Sequence, residues 1–223
     1  TSAIPKGSSH TVDEAGDRLL SLLDRMSLIG ALTARGADYV MNTTPVDIHT
    51  TLNRLISDAK PGNVNVSLDC PHRLTADLDP VLFAQAVRPA LDNAIKFSKE
   101  APDGGTVVLS AHKAHGGLEI RLHDNGPGIS ATRRQQLFKP FSRGEDALRF
   151  NYEGAGLGLY LTKLSTELLG GNVAFAQTKA GTELVWRFGD VEEAALPSDV
   201  SAGHHGHVDG LSHTQSKQKP AHS

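Results

Sequence analysis

Apolar positions divide this chain into amphipathic helices and alternating strands. From Thr11 to Gly36, residues Ala15, Leu19, Leu22, Met26 and Ile29 recur at alternating steps of four and three. That spacing predicts one amphipathic helix able to supercoil with a partner. Thr11 with Glu14 forms a capping box at its start, and Gly36 supplies its stop. In "TTPVDIHTTLNRLISDAK", Pro45 and Val46 read as extended, and Asp47 or Thr50 can cap a helix that turns Ile48, Leu52, Leu55 and Ile56 inward. "NVNVSLD" alternates strictly and predicts a half-buried strand, with "HRLTADL" as its hairpin mate. Asp79 then Pro80 predicts a helix start, because proline at the first helical position gives up an N–H that has no partner there anyway. This helix should run to about Phe97.

Two strands, "GTVVLSAHK" and "LEIRLHD", follow as a hairpin joined by "AHGG", and the second ends at Asp124. A polar, glycine-rich stretch leads to the helix "LGLYLTKLSTELLG" and two further strands, "NVAFAQT" and "TELVWRF". The order predicts an α/β fold, a two-layer sandwich of a mixed sheet and helices, preceded by one amphipathic helix. Beyond Gly189 large apolar residues thin out and five histidines fall in the last twenty positions, which predicts a disordered tail over 190–223. His204, His205 and His207 have no spaced second cluster, so the tail's affinity for divalent ions is read as adventitious.

Composition narrows the class. The chain has 223 residues, is 39% hydrophobic, and carries a formal charge of −3 with no long block of one sign. It has no basic face for nucleic acid and no run near the ~18 apolar residues of a membrane span. The single cysteine, Cys70, lacks CxxC spacing and reads as a reduced, inert thiol, consistent with a cytoplasmic location.

Four stretches carry the candidate chemistry, each weak alone. In "LDNAIKFS", Asn93, Lys96 and Phe97 share one helix face. A carboxamide oxygen there suits Mg²⁺, and an ammonium beside it suits phosphate. In "HDNGPGIS", Asp124 stands at a strand end with Gly126, Gly128 and Ile129 behind it. That gives a fixed acceptor for an exocyclic amino group and a backbone close enough to meet a flat ring, reading adenine over guanine. "GAGLGL", Gly154 to Leu159, precedes a helix whose N-terminus can hold phosphate oxygens, but dinucleotide-type spacing is absent. "LFKPFSRG" places Phe138 and Phe141 with Lys139 and Arg143 in a polar segment, as in a lid that anchors by its rings and brings cations to phosphates.

In order and spacing these stretches resemble the N, G1, F and G2 boxes of the histidine-kinase branch of the Bergerat-fold (GHKL-type) ATPases, with "GTEL" at Gly181 as the last glycine box. The resemblance runs from about Pro45 to Phe188. It implies that Asn93 coordinates Mg²⁺, that Lys96, Lys139 and Arg143 meet the phosphates of ATP, and that Asp124 reads adenine. It further implies that Phe97, Gly126, Gly128, Ile129, Phe138, Gly154, Gly156, Leu157, Gly158 and Leu159 shape the pocket, with Thr182 near the base. Residues 1–41 resemble the second helix of the family's dimerisation hairpin plus a linker, and 42–189 the ATP-binding catalytic domain. The implied activity is transfer of the γ-phosphoryl group of Mg-ATP to a histidine, with a phosphoacceptor helix and a response regulator as partners and a homodimer formed through the N-terminal helix.

Two departures stand out. Pro89 occupies the position four before Asn93, where the family places Asn or Glu, and should kink the helix at a cost of ~3 kcal/mol. Its lack of a carboxylate argues against an ATP-hydrolysing switch, though a degenerate domain that docks a response regulator stays open. No histidine has H-E-x-x-x-P context; His10 precedes the wrong helix, and His49 lies in the entry segment.

Overall fold

The computed structural model describes residues 7–35, 38–114, 116–142 and 155–189. Along the chain run α1 (Gly7–Arg35), β1 (Thr44–Asp47), α2 (Ile48–Ala59), β2 (Asn65–Asp69), β3 (Thr75–Leu78), α3 (Pro80–Ser98), β4 (Thr106–Ala114), β5 (Gly117–Asp124), α4 (Ala131–Arg134), a 3₁₀ turn (Gln136–Phe138), α5 (Gly158–Leu168), β6 (Asn172–Phe175) and β7 (Thr182–Phe188). A five-stranded sheet has the order β2-β4-β5-β7-β6, and β1 pairs separately with β3. Only β2 and β4 are parallel; the other neighbours are antiparallel. The expected two-layer α/β sandwich with a mixed sheet is the observed architecture.

The strand pattern explains the layers. On β4, Val107, Leu109 and Ala111 are buried while Val108 and His112 face out, and on β5 Leu118, Ile120, Leu122 and Asp124 share the inner face. With Leu184, Trp186 and Phe188 of β7 they form one apolar floor, on which α3 lays Phe83, Ala86, Val87, Ala90, Leu91 and Ala94. Phe83 meets Phe188 edge-on, with centroids 5.9 Å apart. Truncating a ring so enclosed typically costs about 3–5 kcal/mol. On α5, Thr162, Ser165 and Thr166 are fully buried small side chains, which lets α5 lie close beside α3.

Caps fix the helices as the sequence predicts. Asp47 caps α2 by accepting from the Thr50 N–H at 2.8 Å. Buried Asp79 accepts from Val81 and Leu82 at 2.9 and 3.1 Å with one oxygen, and from the Asn42 N–H at 3.0 Å with the other. One carboxylate thereby starts α3 and pins the segment that follows α1. Pro89 is buried within α3, which continues through it to Ser98.

Two expectations are corrected. "HRLTADL" is not the hairpin mate of "NVNVSLD": β3 pairs with β1, Thr75 opposite Asp47, and β2 pairs with β4. The connecting Pro71 accepts from the Leu74 N–H and the Leu74 carbonyl accepts from Ile48, so the chain turns away from β2 to close the entry of α2. At the other end, α1 already extends from Gly7, so Thr11 is a full turn inside the helix and does not cap it. Of the predicted stripe, Leu19 and Met26 are exposed, while Ile29 packs on the core with Leu28, beside buried Leu32. No described helix is long and apolar enough to cross a membrane. The tail, Arg143 and Gly154 lie outside the described residues.

Candidate nucleotide-binding site

A cleft of about 300 Å³ opens where one face of α3 meets the end of β5 and the first turn of α5. Helix spacing puts Pro89, Asn93, Lys96 and Phe97 on that face. Asn93, Lys96, Phe97, Asp124, Gly128, Ile129, Gly156, Gly158, Leu159 and Thr182 all line it, so residues from three of the four stretches come together with Thr182 of "GTEL".

Asp124 is the floor. It is 6% exposed and accepts from the Gly126 N–H at 2.9 Å. Burial raises its pKa above the ordinary 3.8, against the lowering pull of the Gly126 bond, the His123 charge, and the Thr182 backbone and hydroxyl donors. Thr182 reaches it because β5 and β7 pair Asp124 with Thr182.

The glycines shape this end by close backbone approach. At Gly181, φ is +70° and a Cβ would overlap the Asp124 carbonyl. At Gly156, φ is +69° and a Cβ would come within 2.6 Å of the Ser142 carbonyl. Gly126 packs on the Phe97 carbonyl behind the lining.

Apolar walls of Ala94, Leu122, Ile129, Phe175 and Leu184 complete a slot suited to a flat ring. The Phe97 and Asn93 positions are about 6 Å apart along α3, and from Asn93 the character becomes polar. Gly158 opens α5, and no side chain caps this end. Its amide groups and the positive end of the helix face the same turn as Asn93.

Besides Gly126, three expected pocket residues sit elsewhere. Phe138 packs inward on Phe175, with centroids 5.0 Å apart. Leu157 is buried in support of α5, and Lys139 is exposed at the end of the 3₁₀ turn, outside the lining. Residues missed by the sequence reading include Pro127, Leu137 and Phe175 among the walls, and Arg25 of α1. For Arg25 a signal existed: Leu28, Ile29 and Leu32 follow at three, four and seven residues and carry the packing.

A sandwich holding such a cleft between one helix and the glycine-lined end of a central strand is an ATP-binding catalytic domain of the sensor-histidine-kinase type. The chain belongs to the family described as histidine kinase-, DNA gyrase B- and HSP90-like ATPases, whose pattern matches residues 78–191.

Sensor-type histidine kinase PrrB of Mycobacterium tuberculosis (strain ATCC 25618 / H37Rv) is 34% identical over 162 residues, covering 73% of this chain and 34% of that protein. Sensor-like histidine kinase SenX3 of the same strain is 29% identical over 208 residues, covering 88% of this chain and 48% of that protein. The crystal structure of the ATP binding domain of PrrB from Mycobacterium tuberculosis superposes with a TM-score of 0.52 at 30% identity, covering 66% of this chain and 96% of that one. The chain spans less than half the length of the curated relatives it matches.

Proposed function

We propose that this chain binds Mg-ATP and presents its γ-phosphoryl group to a histidine nitrogen on a helix outside the catalytic domain. Buried Asp124, placed among glycines at the floor of an apolar slot, is the observation that carries the reading. Its carboxylate accepts from the adenine amino group, which guanine replaces with a carbonyl. Asn93 supplies a neutral oxygen at the polar end, and Lys96 stands one helix position from Phe97 on the same wall.

Among the described residues no group of three or more His, Cys, Asp or Glu side chains gathers to hold a metal. This donor set fits Mg²⁺, which keeps several waters and takes its remaining oxygens from substrate phosphates. The ion, when bound, screens the negative charge of the triphosphate. The protein's part is then positioning: Asp124 fixes the base, and Asn93, Lys96 and the open turn of α5 align the phosphates for in-line attack. Arg143 and Gly154 are assigned to the same end by their motifs alone, and Lys139 has to swing in from its exposed position to join them.

Among the described residues lining the cleft, the carboxylates are Asp124, assigned to the base, and Asp92. Pro89 has no titratable group, and Asp92, which lines the cleft, is engaged by Arg88 at 2.7 Å. Phosphoryl transfer to another residue therefore fits better than autonomous hydrolysis. Neither His10 nor His49 has acceptor context, and the His49 ring packs on His72 with centroids 4.3 Å apart. In this proposal residues 1–41 are the second helix of a dimerisation hairpin with its linker, and 42–189 the catalytic domain. Exposed Leu19, Leu20, Leu23 and Met26 form the seam of a homodimer. A response regulator receives the phosphoryl group, and the setting is the cytoplasm.

Calorimetric titration of Mg-ATP tests the site. Asp124→Asn and Asn93→Ala should each lower affinity by about 100-fold or more. Unchanged affinity in both refutes it.

A further inference from the structure

Helix α1 contributes a cation to this cleft. Arg25 is half-buried and lines it, and a Cβ built on Gly158 would lie 3.4 Å from Pro89 Cβ, 3.8 Å from Asn93 Nδ2 and 3.9 Å from an Arg25 guanidinium nitrogen. Three side chains from α1 and α3 thus surround the space above Gly158 at the first turn of α5. A group entering it meets a guanidinium, a carboxamide and the positive end of a helix. Pro89 offers neither donor nor acceptor at this turn of α3, and Arg25 reaches the same point from α1. Asp92, the nearby lining acid, is held by Arg88. The aim of Arg25 is set by docking, since Leu28, Ile29 and Leu32 on its own helix face pack against the core.

We propose that Arg25 is a phosphate-binding residue delivered by α1, so that affinity for the nucleotide's outer phosphates depends on α1 being docked. The inference rests on the nucleotide reading of the cleft. A planar guanidinium matches phosphate oxygens in pairs, and its contribution grows with the phosphate chain and is absent for a ligand too short to reach it. Binding is reciprocal: if α1 improves phosphate binding, the triphosphate holds α1 in place by the same factor.

The test titrates ATP, ADP and AMP with Mg²⁺ into the full chain and into Arg25→Ala and Arg25→Lys, with exposed Arg54→Ala as a control for lost charge. Arg25→Ala should weaken ATP roughly tenfold, ADP less and AMP not at all. Arg25→Lys should fall between, and Arg54→Ala should match the parent. Hydrogen exchange gives the reciprocal readout: ATP slows exchange along the second half of α1 in the parent but not in Arg25→Ala. ATP binding unchanged in Arg25→Ala, AMP weakened as much as ATP, or equal protection of α1 in both proteins overturns the assignment. A parent chain that binds none of the three overturns the nucleotide reading itself, and the role of Arg25 with it.

Discussion

Asp124 joins recognition to stability with opposite signs. Its folded pKa lies above the ordinary 3.8 because burial disfavours the charge. The folded chain therefore holds this proton more tightly than the unfolded chain does. Its contribution is full below the ordinary value and is lost as pH rises through the folded pKa. Nucleotide binding needs the ionised form and runs the other way, weakening on acidification sooner than an unburied aspartate would allow. Asp124→Asn should thus leave urea stability at pH 7 equal or higher while abolishing the upward Tm shift that saturating Mg-ATP gives the parent. Such a shift corresponds to about 2.7 kcal/mol at 100 times Kd. Gly181→Ala should destabilise by several kcal/mol, read in the same urea titration, since its Cβ would overlap the Asp124 carbonyl at a positive φ. Asp124 was legible in sequence because strand alternation, a carboxylate and two glycines occur within seven positions. Arg25 was missed because the apolar stripe Ala15, Leu19, Leu22, Met26 and Ile29 was read for a partner helix and the polar residue between its members was passed over. Cys70 behaves as its context suggests: burial, with Asp47 and Asp69, pushes its pKa up to about 11, leaving an unreactive thiol at neutral pH.

At the scale of elements, the starts of α2 and α3 were readable and the partner of β3 was not. Asp79 and Pro80 announce α3 locally, since cap and proline act within one turn. The fate of β3 depends on what lies across from it, which alternation alone does not encode. Asp79→Ala should cost about 2 kcal/mol in chemical denaturation, because three backbone N–H groups, Asn42, Val81 and Leu82, lose their shared acceptor. Pro89→Ala should stabilise the chain by on the order of 1 kcal/mol, as it restores a donor inside α3 for the loss of one small ring. A fall in stability instead would mean that the ring's packing outweighs the missing hydrogen bond.

Across the whole molecule the sheet keeps a polar outer face, held by Glu119, whose residue exposure is 5%. Arg121 and Arg187 each donate to it at 2.8 Å, and Arg121 also reaches Glu183 at 3.4 Å. Burial pushes the Glu119 pKa up, but the bonds from Arg187 and Arg121 and their charges bring it below the ordinary 4.5. Its stabilisation is present above that value and is lost as pH falls through the folded pKa. Glu119→Gln should flatten this acid slope and cost about 1–3 kcal/mol at pH 7, measured by urea titration across pH 3–7. The layered class followed from the order of elements, whereas the one parallel pairing did not. That pairing also has a kinetic consequence. Because β2 and β4 are separated by β3 and α3, and β5 and β7 by a longer stretch that includes α5 and β6, both outer pairings of the β4–β5 hairpin cost chain entropy to close. Refolding monitored by pulse labelling should show the β4–β5 hairpin protected before β2 and β7 join it, so a molecule caught partway would expose the Thr106–Ala114 edge to its neighbours.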